Sequence, residues 1–260
     1  MDGILKIRVQ PPSGTIILNR PDKRNALSRM LMMQLSQAFD DLHQERRVRA
    51  IILTGAGSAF CAGMDLDEMR ETAREENPFP TWRHDAVTYK ELLEKMLRFP
   101  KPIIAAVNGP VAAGGAGLVL ACDLAIGCEQ AKFGLPEPKR GLVAGIVAPL
   151  LYFRLGGSRA AQLLLTGSFI EAFAAERFGL YGELAKCDLL WARAHALCEE
   201  IAQCAPESLQ LTKRMLNETI GEHLGTLLSA GAAASATART TEAASEGLAA
   251  FLEKRDPKWL

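Results

Sequence analysis

The sequence predicts an α/β fold, and three observations predict it. In the N-terminal half, short apolar runs alternate with apolar residues at helical spacing, the pattern of repeated strand–helix units. Two of those runs, Ala50-Ile51-Ile52-Leu53-Thr54 and Ile103-Ile104-Ala105-Ala106-Val107, each lead into a Gly/Ala turn and then a helical pattern. The 260 residues, 48% hydrophobic and 23% charged, suffice for a sizeable core of ordinary globular composition.

The elements follow in order. Ile4 to Val9 and Thr15 to Leu18 read as a hairpin around Pro11-Pro12-Ser13-Gly14. Ser28 to Leu42 is amphipathic, with Leu27, Leu31, Leu35, Phe39 and Leu42 at helical spacing and Ser28 placed to cap the helix. Ala50 to Thr54 is a buried-type strand. Asp67 to Pro80 is charged and carries two prolines, so it reads as a loop with a short helix. Thr81 to Phe99 is a long helix stopped by Pro100 and Pro102. Ile103 to Val107 is a strand, Gly115 to Ala121 a short apolar helix, and Asp123 to Gly127 another strand. From Ala144 onward strand signals nearly vanish. Helices are expected over 148–155, 158–165, 171–177, 184–204, 206–219 and 224–252. The alanine-rich stretch Ser229 to Ala236 belongs to the last of these, because alanine is the best helix former.

Bulk properties exclude several function classes. Thirty basic and thirty acidic residues cancel, so no bulk field draws nucleic acid or a membrane surface. An aromatic share of 6% argues against a base-stacking platform. None of the six cysteines forms a C-x-x-C pair, so no metal site is expected. Met1 to Val9 lacks the long apolar core of a signal peptide, and no apolar stretch reaches membrane-spanning length. A cytoplasmic protein with reduced thiols is the expectation.

The chemistry concentrates in two glycine-rich segments. The first is Ala59-Phe60-Cys61-Ala62-Gly63-Met64-Asp65-Leu66, and the second runs from Asn108-Gly109-Pro110 through Ala113-Gly114-Gly115-Ala116-Gly117. Such turns leave backbone N–H groups without partners at a helix start. Either turn alone is also what tight strand–helix packing needs. Two in one domain can pair their N–H groups into an oxyanion hole.

These segments resemble the crotonase family, the enoyl-CoA hydratase/isomerase superfamily. The likeness also takes in Asn19-Arg20-Pro21-Asp22-Lys23-Arg24-Asn25-Ala26-Leu27, Ala131-Lys132-Phe133-Gly134-Leu135-Pro136-Glu137, and Gly247 to Lys254. It implies a right-handed spiral of ββα units over 1–198. A C-terminal helical region over 199–260 would build homotrimers, often stacked as hexamers, within the same functional unit.

The resemblance also implies site residues. The backbone N–H groups of Met64 and Gly114 would hold a thioester oxygen, and Glu137 would be the acid/base. Lys23, Arg24, Ala26, Ala62, Met64, Asp65 and Leu66 match segments that contact coenzyme A. Phe251 and Lys254 match a C-terminal contact, sometimes made to a neighbouring subunit. Coenzyme A enters as part of the acyl thioester substrate, with no tightly bound cofactor.

One departure matters. Well-studied hydratases of the family carry a second glutamate where this chain has Gly117. The two-carboxylate mechanism therefore does not transfer. The run through Gly117, with Gly141-Leu142-Val143-Ala144-Gly145, resembles a bacterial branch of methylglutaconyl-CoA hydratase-like members, which also has a small residue at that site. The expected function is an enoyl-CoA hydratase working with Glu137 alone. The alternatives are a double-bond isomerase using the same glutamate and a catalytically silent acyl-CoA-binding protein. The four histidines are scattered and none is assigned to catalysis; His84 alone merits a check. No phosphate loop and no Gly-x-Ser-x-Gly elbow occurs.

Overall fold

The structure, a computed structural model, describes residues 3–259, without the side chain of Ile220. Met1, Asp2 and Leu260, at the outer ends of the expected 1–198 and 199–260 parts, lie outside the described residues.

Strand β1 (Leu5–Gln10) pairs antiparallel with β2 (Ser13–Leu18), so the turn is tighter than the sequence suggested: Gln10 already faces Ser13. Helix α1 (Arg29–Gln44) buries Leu31, Leu35, Phe39 and Leu42, the stripe at helical spacing. Ser28 caps it, its Oγ accepting from Leu31 N at 3.2 Å. Strand β3 (Ala50–Gly55) follows, then α2 (Leu66–Thr72) and α3 (Phe79–Arg98). Strand β4 (Ile103–Val107) is buried along its whole length. Next come β5 (Val111–Ala112), α4 (Gly114–Ala121), β6 (Leu124–Cys128) and β7 (Phe133–Gly134). A 3-10 turn spans Glu137–Arg140. Helix α5 (Val147–Thr166) breaks at Gly156, giving the two helical stretches expected there. Strand β8 (Phe169–Ile170), α6 (Ala172–Arg177), β9 (Glu183–Ala185), α7 (Leu190–Ala202), α8 (Pro206–Arg214), α9 (Leu224–Ala238) and α10 (Glu242–Glu253) complete the chain.

The main sheet has the order β1-β2-β3-β4-β6-β9, and every pairing from β2 to β9 is parallel. Parallel neighbours need long crossovers. Helix α1 supplies one between β2 and β3, and α2 with α3 another between β3 and β4. A second sheet, β5-β7-β8, stands beside the first and carries the turn that presents Glu137.

The C-terminal half departs from the sequence reading in three places. The expected helix over 184–204 starts only at Leu190, because Leu184 lies in β9 and pairs with Gly127 of β6. The expected single helix over 224–252 is two. Thr241 ends the run and caps α10, its Oγ1 accepting from Ala244 N at 3.1 Å. The helix expected over 206–219 is α-helical only to Arg214 and continues as a π-helical turn, Met215–Ile220. Helix α9 packs on α3 and α5, and α10 packs on the 3-10 turn at Glu137. No helix of the described residues is long and apolar enough to cross a membrane.

Candidate active site

The two glycine-rich turns meet. Leu27 N donates to Gly63 O at 2.7 Å and Asp65 N donates to Leu27 O at 3.0 Å, which brackets Met64 and leaves its N–H out of that ladder. Gly63 sits at φ +93, and a Cβ there would fall 2.8 Å from Ala113 Cβ and 3.2 Å from Gly114 N, so only glycine lets the turns close. Gly114 opens α4, where a helix has N–H groups without intrahelical partners and the positive end of its dipole. Ala113, at φ 51 and ψ −122, holds an uncommon conformation just before it. Backbone strain of that kind is kept where a peptide plane must be aimed. Met64 and Gly114 line one cavity, and a Cβ at Gly114 would fall 3.3 Å from Met64 Sδ.

Glu137 lines the same cavity. It is 8% exposed, and its Oε2 is buried with no hydrogen-bond partner. Burial pushes its carboxyl from an ordinary 4.5 up to about 7, against smaller downward pulls from its own backbone N–H and from Arg140. Pro136 and Pro138 flank it, and Leu142 N donates to Glu137 O at 3.0 Å, which fixes the turn. Helix α10 presses on the turn backbone to backbone: a Cβ on Gly247 would overlap Arg140. A carboxyl held this way can exchange protons near neutral pH.

Gly117 is buried in α4, and the space beside it belongs to Tyr89 of α3. A Cβ at Gly117 would overlap the Tyr89 hydroxyl and stand 3.1 Å from its Cζ and 3.2 Å from Leu93 Cδ1. The hydroxyl donates to the carbonyl oxygen of Gly114. Burial, with Cys61 and Glu137 adding to it, raises the Tyr89 pKa well above its usual value, so the phenol stays a neutral donor. The wall lacking a carboxylate is therefore filled, and its filler grips the residue that carries one candidate oxyanion donor.

The cavity, about 70 Å³, shares Met69, Leu142 and Arg239 as walls with a second cavity of about 540 Å³. Ala62 and Leu66 line the first with Met64, Gly114 and Glu137. Lys23, Arg24, Ala26, Asp65, Phe251 and Lys254 do not line it. Lys23 and Arg24 are exposed, and Lys23 pairs with Asp67 at 2.7 Å. Ala62 N donates to Arg24 O at 3.0 Å, tying the 23–26 segment to the first turn. The Asp65 carboxylate is committed to Arg20 at 2.7 Å and to Asp67 N at 3.0 Å, which caps α2, and its backbone N–H and C=O are taken by Leu27 O and Met69 N, so Asp65 braces the turn. Phe251 reaches the site indirectly, its ring 4.0 Å from the Arg140 guanidinium. Lys254 and His84 are exposed. Tyr89, Arg140 and Arg239 are wall residues that the sequence reading missed. Tyr89 sits on α3 and Arg239 just past the end of α9, helices whose packing no local pattern reveals, whereas Arg140 stands three residues after Glu137.

Residues 14–260 match the family described as enoyl-CoA hydratase/isomerase. A Thermus thermophilus protein provisionally named an enoyl-CoA hydratase is 42% identical over 247 residues, covering 94% of this chain and 96% of that one. The 2,3-dehydroadipyl-CoA hydratase of Escherichia coli is 33% identical over 243 residues, with 93% and 92% covered. Among solved structures, an enoyl-CoA hydratase from Mycobacterium avium superposes with a TM-score of 0.89 at 31% identity, covering 100% of both chains.

Proposed function

The chain belongs to the enoyl-CoA hydratase/isomerase family, and from that premise we propose that it adds water reversibly across the double bond of an enoyl-CoA, with Glu137 as the single acid/base. The observation that carries this is Glu137 itself: a buried carboxyl with an unpartnered Oε2, in the cavity on which both glycine-rich turns converge.

The thioester oxygen lies against the Met64 and Gly114 N–H groups. Ionised Glu137 takes a proton from water, and the water oxygen bonds to the β-carbon. The double-bond electrons move through the α-carbon to the thioester oxygen, where the two N–H groups stabilise the enolate charge as it forms. The α-carbon then takes a proton from Glu137 or from water, and the net change is the addition of one water. Coenzyme A is part of the substrate. Its contacts are assigned to the 23–26 and 62–66 segments, and to Phe251 and Lys254 from this chain or a neighbouring subunit. Residues 1–198 and 199–260 act as one unit, since Arg239 at the end of α9 reaches the same cavity wall as Glu137. Self-association as a trimer or hexamer and a cytoplasmic setting belong to the same reading. Leu211, Met215, Leu216 and Leu227 of the 199–260 part are exposed and offer apolar side chains for a subunit contact.

A second reading, double-bond isomerisation, is favoured by one observation. With Tyr89 filling the place beside Gly117 and Asp85 held by Arg29, Glu137 is the one wall carboxylate left unpaired among the described residues, and a one-base shuttle of a proton along the chain needs no more. Mass-resolved product analysis with short 2-enoyl-CoAs and a 3-enoyl-CoA separates the two. Addition of a water mass, lost in Glu137→Gln, supports hydration. A moved double bond at constant mass makes the protein an isomerase. Acyl-CoA binding without turnover by either protein would make it a silent binder.

A further inference from the structure

Hydration of an uncharged acyl chain leaves Arg239 unused. It follows the last residue of α9 and forms part of the wall of both cavities, where the acyl group would extend away from the thioester site. Its Nη1 is buried and has no hydrogen-bond partner. The acid that faces it, Asp85, is already taken: Arg29 Nε and Nη2 hold its two oxygens at 2.7 and 2.8 Å. Glu137, the other acid of the first cavity, is drawn toward its neutral form by burial and stands beside a second guanidinium, Arg140. Burial works against the charge on Arg239, and Arg29 adds to that, while Asp85 opposes it. A guanidinium keeps its charge nonetheless. The cavity walls thus carry more positive charge than their own acids neutralise, and one buried N–H points at no acceptor. Buried donors are nearly always paired in folded proteins, and a guanidinium fork matches the two oxygens of a carboxylate.

We propose that the acyl chain carries a carboxylate at its far end and that Arg239 receives it, so that the substrate is the CoA thioester of an unsaturated dicarboxylic acid. This rests on the enoyl-CoA hydratase reading for its thioester end. A phosphate of coenzyme A is a second source of the same negative charge, and the test separates the two.

The test uses saturated thioesters, which bind but cannot be hydrated: glutaryl-CoA against pentanoyl-CoA, and adipyl-CoA against hexanoyl-CoA, by titration calorimetry on the full-length protein. Coenzyme A is common to each pair, so a preference reports the carboxylate alone. The expected result is that the carboxylated member of at least one pair binds about tenfold tighter or more. That ratio should collapse toward one in Arg239→Leu and survive in part in Arg239→Lys, whose point charge lacks the fork. Affinities within about twofold in both pairs for the unmodified protein would overturn the proposal, as would a preference that persists in Arg239→Leu. If that variant does not fold, the unmodified protein and Arg239→Lys still decide. Equal loss of affinity for all four thioesters in Arg239→Leu would assign the residue to a coenzyme A phosphate instead. Hydration of glutaconyl-CoA and crotonyl-CoA is measured in parallel. A binding preference with no water added to either sinks the hydratase reading and keeps the subsite. Water added to both without a binding preference does the reverse.

Discussion

At Glu137 the cleft holds a carboxyl that burial has made almost as ready to keep its proton as to give it up, on a turn clamped by two prolines and by α10. Behind the wall that Tyr89 forms, at Gly117, α4 offers no side chain at all, and α3 lends a phenol that donates back to Gly114. One side is arranged to move a proton and the other to hold a backbone still. The difference teaches that a missing glutamate here is not an empty place waiting for one. The helix has been brought close enough to Tyr89 that the two walls carry different tasks.

The largest expected effect comes from breaking the side that moves the proton. Glu137→Gln keeps the shape of the side chain and removes its capacity to ionise. Loss of a positioned acid/base costs about 10²- to 10⁴-fold in rate. The hydration kcat of the variant should fall by that factor, while its affinity for a saturated acyl-CoA changes little by comparison. A kcat within about threefold of the unmodified protein would show that proton transfer does not pass through Glu137.

Much of this contrast is half-legible in the sequence. Glu137 stands in a local motif, and Gly117 declares itself as a departure from a pattern, so both can be found by reading along the chain. Helices α1 and α3 and strands β3 and β4 are equally legible, because burial is written as a period of apolar residues in the helices and as an unbroken apolar run in the strands. Tyr89 and Arg239 are not. Tyr89 lies on α3 and Arg239 at the C-terminal cap of α9, and the sequence of neither helix hints at which other element it will meet. Strand β9 fails for a related reason: Glu183, Leu184 and Ala185 are only half-buried, and pairing with β6 rather than any apolar run makes them a strand. The break between α9 and α10 carried a readable signal, since Thr241 followed by Glu242 is an N-cap with an acidic first turn, but the alanine-rich run before it pointed to an unbroken helix.

The next effect sharpens the other side. If Tyr89 owns the space at Gly117, adding even one methyl group there must displace the phenol. Overpacking of this kind typically costs about 1–3 kcal/mol. Gly117→Ala should lower unfolding stability by that amount in denaturant titrations. The cost should shrink in a Tyr89→Phe background, where the nearest aromatic atom would be Cζ at 3.1 Å from the new Cβ. Gly117→Glu should be less stable still and should not raise the hydration rate, because its carboxylate would be forced against the phenol. Additive effects of the two substitutions, within about 0.5 kcal/mol, would mean that Tyr89 and Gly117 do not contest one space.

The smallest effect sets the two tasks against each other through pH. The folded protein holds the Glu137 proton up to about 7, whereas the unfolded chain releases it near 4.5. The proton-linked contribution to stability is therefore complete below 4.5 and is lost as pH rises through 7. Between pH 6 and 8 the loss is about 1 kcal/mol, or about 2–4 °C in Tm for a chain of this size. Glu137→Gln has no such proton, so the Tm of the unmodified protein minus that of the variant should decline over this range. Hydration runs the other way, because the carboxylate must be ionised to take a proton from water, and kcat/KM should climb toward a plateau above about pH 7. A Tm difference that stays flat from pH 5 to 8 would show that the carboxyl titrates as it does in water, and the apolar setting assigned to it would be wrong. Opposite slopes in the same interval would tie activity and instability to a single buried proton. They would also place the cost of catalysis on the Glu137 side of the cleft, since the neutral phenol of Tyr89 does not titrate there.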